Sequence, residues 1–187
     1  MIKTGVIHGR FQILHNDHLK YLMAGKARCR HLVVGITNPD PSLTGDDRSD
    51  PNRSQGISNP LTYYERYIMI REALNDVGLT MHEYSIVPFP INFPELYQYY
   101  VPLDVTFFLT IYDDWGRKKL ELFHSIGLKT DILRETSRKE KGLSSDAIRK
   151  SIASGGAWKH LVPPSTCRLI QKWHIQKRLR DLYKKSY

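Results

Sequence analysis

Cysteines, long apolar runs and acidic residues are all scarce in this chain of 187 residues. Its two cysteines, Cys29 and Cys167, lie far apart and lack the spacing of metal ligands, so neither a disulfide framework nor a zinc site is expected. No run of about 18 apolar residues occurs, which argues against a transmembrane helix. Residues 1–7 are strand-like and show no basic-then-apolar leader. We therefore expect a cytoplasmic protein without a membrane partner.

The 19 acidic residues are outnumbered by 28 Lys and Arg, giving a net charge of +9, and the excess is local. Residues 168–187 contain seven Lys or Arg and one Asp. Because proline suits the first turn of a helix, Pro163 and Pro164 predict one basic C-terminal helix over residues 164–187. Its charge could contact nucleic acid or an acidic partner. A solvated helix face is favoured, and nucleic acid is not the expected partner, because four apolar side chains could pack the helix onto the body: Leu169, Trp173, Leu179 and Leu182.

Apolar runs alternate with helical patterns along the chain, which predicts an α/β fold with a parallel sheet covered by helices. The predicted strands are residues 2–7, 31–37, 84–89, 104–110 and 128–133. The predicted helices are residues 17–28, 115–125 and 144–153, a helix between Thr62 and Gly78, and the C-terminal helix. The length suits one domain, so residues 1–187 are predicted to form a single domain with a C-terminal helical extension. The oligomeric state is left open, a homo-oligomer included.

Two local signals surround the second predicted helix. Thr62 and Glu65 have the spacing of a capping box, in which each residue satisfies a backbone N–H of the other at the helix start. The polar stretch before them, residues 38–59, is long for a loop inside a compact domain. Long loops of this kind often cover functional sites, so this one is interpreted as a lid.

The most informative segment is HGRFQILHNDHL, residues 8–19, where the first strand gives way to the first helix. The N–H groups and partial positive charge of a helix N-terminus favour phosphate. His15 and His18 lie about one turn apart, so both could reach the same polyphosphate from one helix face. Arg10 adds a cation beside them. The segment predicts a nucleoside triphosphate site with His15, His18 and Arg10 as catalytic candidates.

A second candidate site lies where the helix over residues 144–153 begins. The hydroxyls of Ser144 and Ser145, the helix N–H groups and the guanidinium of Arg149 could together hold a pyrophosphate leaving group. A serine at a helix N-cap is ordinary when it stands alone. The segment therefore indicates a site only in combination with the first motif.

The first segment resembles the GRFQPxHxGH signature of the HxGH-type nucleotidyltransferase superfamily. The second is similar to the ISSTxxR motif that closes the active site in the same superfamily. Residues 59–66 resemble NPFTxxER, and residues 148–163 resemble IRRxMxxGxxWxxLVP, both of the archaeal-type nicotinamide mononucleotide adenylyltransferases. The resemblance runs in order up to Ile170. It implies a Rossmann-like, doubly wound parallel sheet.

Three places depart from the family pattern. Ile13 stands where the family usually has proline, and Asp17 where it usually has glycine. Asp17 could cap the first helix, which is the favoured interpretation, or hold a water on Mg²⁺. The family's Thr-Gly-Asn after the fourth strand is replaced by a bulky acidic run over residues 111–115, although Thr110 keeps its place.

The resemblance implies in-line transfer of AMP from ATP to a phosphorylated acceptor, with release of pyrophosphate. Nicotinamide or nicotinate mononucleotide is the first candidate acceptor, which would place the chain in NAD biosynthesis. Mg²⁺ is expected to arrive with the nucleotide and not on a metal site of the protein, and catalysis to work by positioning and charge stabilisation. Nucleotide and phosphate binding is assigned to His8, Gly9, Arg10, Phe11, Gln12, His15, His18, Thr110, Ser144, Ser145 and Arg149.

Two alternatives stay open. A cytidylyltransferase that activates a small phosphorylated alcohol or phosphonate shares the HxGH motif. Its second motif usually reads RTxGIST, which residues 134–136 and 142–145 match only loosely. The other alternative is a non-catalytic nucleotide sensor or an RNA-binding module that uses the basic tail. RNA binding through the tail would weaken steeply with salt.

Overall fold

A five-stranded parallel sheet forms the centre of the computed structural model, which describes residues 1–44, 55–137 and 142–185. The strands are β1 (Ile2–Gly9), β2 (Cys29–Thr37), β3 (Tyr84–Phe89), β4 (Thr106–Ile111) and β5 (Lys129–Glu135). Their order across the sheet is β3-β2-β1-β4-β5, and every neighbouring pair is parallel. The predicted α/β, Rossmann-like sheet is confirmed.

Six α-helices accompany the sheet. They are α1 (Asn16–Lys26), α2 (Tyr63–Asp76), α3 (Asp114–Ser125), α4 (Ser145–Ser154), α5 (Pro164–Lys172) and α6 (Ile175–Lys185). Thr62 and Glu65 form the predicted capping box at the start of α2. In the parts of the chain that the structure describes, no helix is both long and apolar enough to cross a membrane.

The prediction of one C-terminal helix over residues 164–187 is wrong, because the structure has two helices there. The chain turns at His174, whose φ of 52° lies in the left-handed region that a right-handed helix cannot include. The turn lets Ile170 of α5 and Ile175 and Leu179 of α6 all reach the core. Arg178 then pairs with Glu65 of α2 through two N···O contacts of 2.8 and 2.7 Å.

Successive residues of a strand point to opposite faces of the sheet, and this divides the core in two. Ile7 belongs to the cluster that includes residues of α1, α2, α4, α5 and α6. Val6 belongs to a second cluster on the other face, together with Phe89, Ile91 and Phe123 of α3. His8 therefore shares a face with Val6 and α3, not with α1 and α4.

The order of the strands reverses at β1, which lies between β2 and β4. In open α/β sheets a crevice forms outside the carboxyl ends of the strands at such a switch point, and ligands bind there. The residues that follow β1 and β4 are the two segments that the sequence singles out. The predicted lid, residues 38–59, lies partly outside the described residues, because residues 45–54 are not among them.

Candidate active site

A cavity of about 290 Å³ lies at the carboxyl ends of β1 and β4. The two motifs, far apart in sequence, meet there. All eleven residues predicted to bind nucleotide or phosphate line this cavity, namely His8, Gly9, Arg10, Phe11, Gln12, His15, His18, Thr110, Ser144, Ser145 and Arg149. Their proximity agrees with one shared site, and their individual roles remain predictions.

The loop after β1 is shaped by a buried aromatic ring. Phe11 is 1% exposed and has a φ of 52°, an uncommon backbone conformation for a residue with a side chain. A Cβ at Gly9 would lie 2.9 Å from the Phe11 ring, so only glycine fits there without movement of the ring. The same ring meets His18 edge-on, with 5.2 Å between ring centroids. Phe11 thus holds the loop and the histidine in place.

Gln12 does not offer its side chain to a ligand. Its amide nitrogen donates to the Leu61 carbonyl and its amide oxygen accepts from the Leu61 N–H, both at 2.9 Å. With both ends of the amide used in this way, the predicted phosphate contact of the Gln12 side chain is not supported. The pair instead ties the first motif to the segment before α2.

Arg66 is an organising residue that the sequence analysis missed. It is 1% exposed, and its guanidinium donates to the carbonyls of Arg10, Thr37 and Asn38 at 3.0, 2.7 and 2.7 Å. Burial lowers the pKa of Arg66 to about 10, which still leaves it charged at neutral pH. It therefore joins the first motif to the end of β2 from below the cavity. The only sequence signal was its place in the stretch similar to NPFTxxER.

His15 and His18 lie at the start of α1 with their rings stacked, 3.6 Å between centroids and 19° between planes. His15 is the N-cap residue and not part of the helix, and its Nδ1 accepts from the His18 N–H at 3.3 Å. With Nδ1 accepting, the neutral His15 ring carries its proton on Nε2, which makes that nitrogen a donor. The two rings lie side by side at the cavity, though not one turn apart on a helix face as predicted.

The second motif supplies the N-terminus of α4. Ser144 is the N-cap, and its Oγ accepts from the Ala147 N–H at 3.5 Å, while Ser145 is the first helical residue. Arg149 is 3% exposed and donates to the Gln12 carbonyl and, at 3.4 Å, to Asp146. Its guanidinium therefore joins the two motifs at the wall of the cavity.

Asp17 joins the same two motifs, which corrects the interpretation of it as a helix cap or a holder of magnesium-bound water. One oxygen accepts from the Leu143 N–H at 2.8 Å and the other from Lys20 at 3.0 Å. A Cβ at Gly142, whose φ is 79°, would lie 2.5 Å from the Asp17 carboxylate, so glycine permits the approach. Partial burial raises the pKa of Asp17, but the Leu143 N–H, Lys20 and His15 outweigh it and lower the pKa overall.

Replacing Asp17 with Ala is expected to lower kcat/KM for the nucleotide about tenfold. The reason is that a hydrogen bond to a charged acceptor contributes about 1.5–3 kcal/mol, and this one positions the segment that carries Ser144. Steady-state kinetics would measure the change. Lys20→Met is the matched control, since the Lys20 side chain is 78% exposed and its ion pair with Asp17 contributes little. Equal kcat/KM values for Asp17→Ala and wild type would contradict the role of this contact.

His8 is buried at the end of β1. It is 4% exposed, its ring lies 5.3 Å from Phe89 and 5.4 Å from Phe123, and neither ring nitrogen has a hydrogen-bond partner. Burial, and after it the charge of Lys119, hold the pKa of His8 well below its ordinary 6.5. His8 is thus a neutral side chain at the α3 side of the cavity, and not a cation for a triphosphate.

The lowered pKa of His8 predicts a loss of stability in weak acid. The unfolded chain binds a proton at His8 near pH 6.5, whereas the folded chain does not, so stability is fully present above that pH and falls below it. Between about pH 7.5 and about pH 5.5, wild type should lose about 1 kcal/mol more unfolding free energy than His8→Phe. Urea unfolding at both pH values measures this. Equal losses in the two proteins would show that His8 accepts a proton in the folded state.

The segment after β4 forms the remaining wall. The pairing of β4 with β5 is irregular between Leu109 and Thr110. As expected from sequence, Asp113 caps the next helix, accepting from the Gly116 N–H at 3.0 Å. Lys119 of α3 lies with its Nζ 4.5 Å from the centre of the Trp115 ring, and both residues line the cavity. The sequence analysis did not assign either one to the site.

The site combines two helix N-termini, two histidines and the cations Arg10 and Arg149. Within residues 1–44, 55–137 and 142–185, no group of three or more His, Cys, Asp or Glu could hold a metal ion. Such a site can bind a polyphosphate and stabilise charge at a phosphorus, while the attacking group comes from a second substrate. Fold and site together are those of a nucleotidyltransferase.

Comparison with known proteins supports this assignment. Residues 6–151 match the family described as Cytidylyltransferase-like, and the chain belongs to this family of nucleotidyltransferases. It is 50% identical over 177 residues to phosphonoformate cytidylyltransferase from Streptomyces viridochromogenes, covering 95% of both chains. It is 30% identical over 183 residues to nicotinamide-nucleotide adenylyltransferase from Thermococcus kodakarensis, covering 97% of this chain and 89% of the other. The predicted superfamily and enzyme class are confirmed.

A solved structure shares the fold. The bifunctional NMN adenylyltransferase/ADP ribose pyrophosphatase from Francisella tularensis has a TM-score of 0.71 and 14% sequence identity over the whole of this chain. The chain spans 54% of the length of that protein. The structure of a bifunctional enzyme of this kind from the same organism, complexed with AMP and a manganese ion, has a TM-score of 0.59. At this identity the likeness extends to the fold alone.

Proposed function

We propose that this enzyme transfers CMP from CTP to a small phosphonate and releases pyrophosphate. The observation that carries the proposal is the 50% identity to a phosphonoformate cytidylyltransferase over 95% of both chains. The adenylyltransferase relatives align over a similar share of the chain at about 30% identity. This choice reverses the order of the two enzyme hypotheses that the sequence motifs alone suggested.

In the proposed reaction, a phosphonate oxygen of the acceptor attacks the α-phosphorus of CTP. A new P–O bond forms, the bond between the α-phosphorus and the bridging oxygen breaks, and pyrophosphate leaves with that oxygen. The attacking oxygen is already anionic, so no protein nucleophile is needed. His15, His18 and the α1 N-terminus would stabilise charge on the α-phosphate, and Ser144, Ser145 and Arg149 would hold the departing phosphates. Mg²⁺ bound to the triphosphate would neutralise part of its charge.

The wall after β4 supports a different acceptor from that of the adenylyltransferases. Residues 111–115 replace the Thr-Gly-Asn that usually follows this strand in those enzymes. Tyr112, Asp113 and Trp115 all line the cavity. The most bulky departure from the adenylyltransferase pattern therefore lies at the substrates and not at a distant surface.

A second candidate, transfer of AMP from ATP to nicotinamide mononucleotide, is favoured by residues 148–163, which resemble the archaeal adenylyltransferases. The structure gives much of that likeness a packing reason. Trp158 and Val162 are buried in the core, and the His160 carbonyl accepts from the Asn16 amide at 2.9 Å. Because these contacts hold α1 and the C-terminal part together, the shared letters there follow from the fold and do not specify a substrate.

Pyrophosphate release decides between the two candidates. The assay pairs CTP or ATP with phosphonoformate or nicotinamide mononucleotide in the presence of Mg²⁺, with each nucleotide alone as the blank. We expect release with CTP and phosphonoformate, and its loss in His18→Ala. Release with ATP and the mononucleotide, without release from CTP and phosphonoformate, would replace the proposal by the second candidate. Release with CTP and another phosphorylated acceptor would keep the cytidylyl transfer and change the acceptor.

A further inference from the structure

The cavity has two chemically different ends. The end formed by the two motifs carries His15, His18 and the N-terminus of α4. The other lies on the sheet face that α3 covers, and we call it the α3 end; its lining residues are His8, Ile91, Asn92, Trp115 and Lys119. Since the phosphate-binding groups are concentrated at the first end, the α3 end is left for another part of the substrates.

His8 shows that the α3 end is built for a polar ligand. Both ring nitrogens are buried without a hydrogen-bond partner. A buried polar group that lacks a partner destabilises the fold, and native proteins contain few of them. A phenylalanine would fill the space between Phe89 and Phe123 without that penalty. A donor or acceptor at this position is therefore useful only when a bound molecule completes its hydrogen bonds.

Lys119 supplies a positive charge at the same end. It lies on the second turn of α3, its Nζ is 4.5 Å from the centre of the Trp115 ring, and its charge acts on His8. A cation beside a neutral histidine, with the apolar side chains Ile91 and Trp115 near them, suits a small anion that brings its own hydrogen-bonding oxygens. A nucleobase or a neutral ring does not need this charge.

We propose that His8 and Lys119 bind the carboxylate of a small phosphonate acceptor and so determine acceptor specificity. In this arrangement Lys119 neutralises the carboxylate and His8 donates a hydrogen bond to it, while the phosphonate group points towards His15 and His18. The inference rests on the proposed function, because it names the part of the acceptor that each residue recognises. An acceptor without the carboxylate would leave His8 without a partner, which is a strong basis for discrimination.

The test compares two acceptors, phosphonoformate and methylphosphonate, which lacks the carboxylate. In Lys119→Met, the KM for phosphonoformate should rise roughly tenfold to a hundredfold, while the KM for methylphosphonate and the KM for CTP change little. His8→Phe, which keeps an aromatic ring between Phe89 and Phe123, should shift the same ratio in the same direction. Lys118→Met is the matched control, since Lys118 is exposed on α3 and does not line the cavity.

Three outcomes would overturn the inference: an unchanged KM for phosphonoformate, an equal rise for both acceptors, or a rise in the KM for CTP alone. Failure of the proposed function would be seen separately, as a wild-type enzyme inactive with CTP and phosphonoformate. In that case NMR of ¹⁵N-labelled histidine decides the matter. Movement of the His8 ring signals on titration with phosphonoformate, absent in Lys119→Met, would support the binding site, and unmoved signals would refute it.

Discussion

His18→Ala is expected to lower kcat about a thousandfold, whichever nucleotide the enzyme uses. Removal of one donor that stabilises transition-state charge typically costs a hundredfold to a thousandfold. His18 also stacks on His15 and meets the Phe11 ring, so its loss should disturb the second histidine as well. A contact made mainly in the transition state lowers kcat and kcat/KM by the same factor. Steady-state rates of pyrophosphate release measure both.

Two controls separate this loss from simple unfolding. His160→Ala removes an exposed histidine outside the cavity and should keep the wild-type rate. A thermal melt of His18→Ala should show a folded protein, because the helix cap at His15 uses the backbone N–H of residue 18 and survives the substitution. A wild-type kcat in His18→Ala would exclude the stacked pair as the centre of catalysis.

Arg66→Met should lower the free energy of unfolding by about 3 to 5 kcal/mol, a large fraction of the stability of a domain. The apolar side chain fills much of the space but leaves the carbonyls of Arg10, Thr37 and Asn38 without their donor. Each buried acceptor left unsatisfied costs about 1–3 kcal/mol. Urea unfolding, compared at equal m-values, measures the change.

Arg71→Met is the matched comparison for Arg66→Met, because both arginines belong to α2. Arg71 pairs with Glu72 at the surface, and its side chain is 37% exposed. Its replacement should change stability by less than about 1 kcal/mol. If Arg66→Met proved equally mild, the network of carbonyls around Arg66 would not be holding the first motif in place. Weaker CTP binding by folded Arg66→Met would link that network to the site.

Local signals account for the features that sequence predicted well. The apolar run before HGRFQILHNDHL became β1, and the spacing of Thr62 and Glu65 became a capping box, because each depends on neighbours along the chain. The strand over residues 84–89 agrees with β3 at both ends. Both motifs could be placed at one edge of the sheet, because parallel strands end on the same side and their following loops converge there.

Contacts between distant segments account for what sequence missed. Asp17 was interpreted as a cap because its partner, the Leu143 N–H, lies more than a hundred residues further along the chain. Gln12 was assigned to phosphate because nothing in the sequence shows that Leu61 occupies both ends of its amide. The break at His174 follows from the need of α5 and α6 to bury separate apolar faces, a constraint that the local helical pattern does not contain.

The sequence by itself determined the class of fold, the two motifs and the nucleotidyltransferase chemistry, since periodicity, helix-start signals and phosphate-binding residue types are properties of short segments. Only the tertiary structure decided which of those residues line the cavity with usable polar atoms and which are consumed in holding it together. It alone brought His8 of β1 close to Lys119 of α3, because burial and charge at a site depend on segments that the chain brings together only on folding.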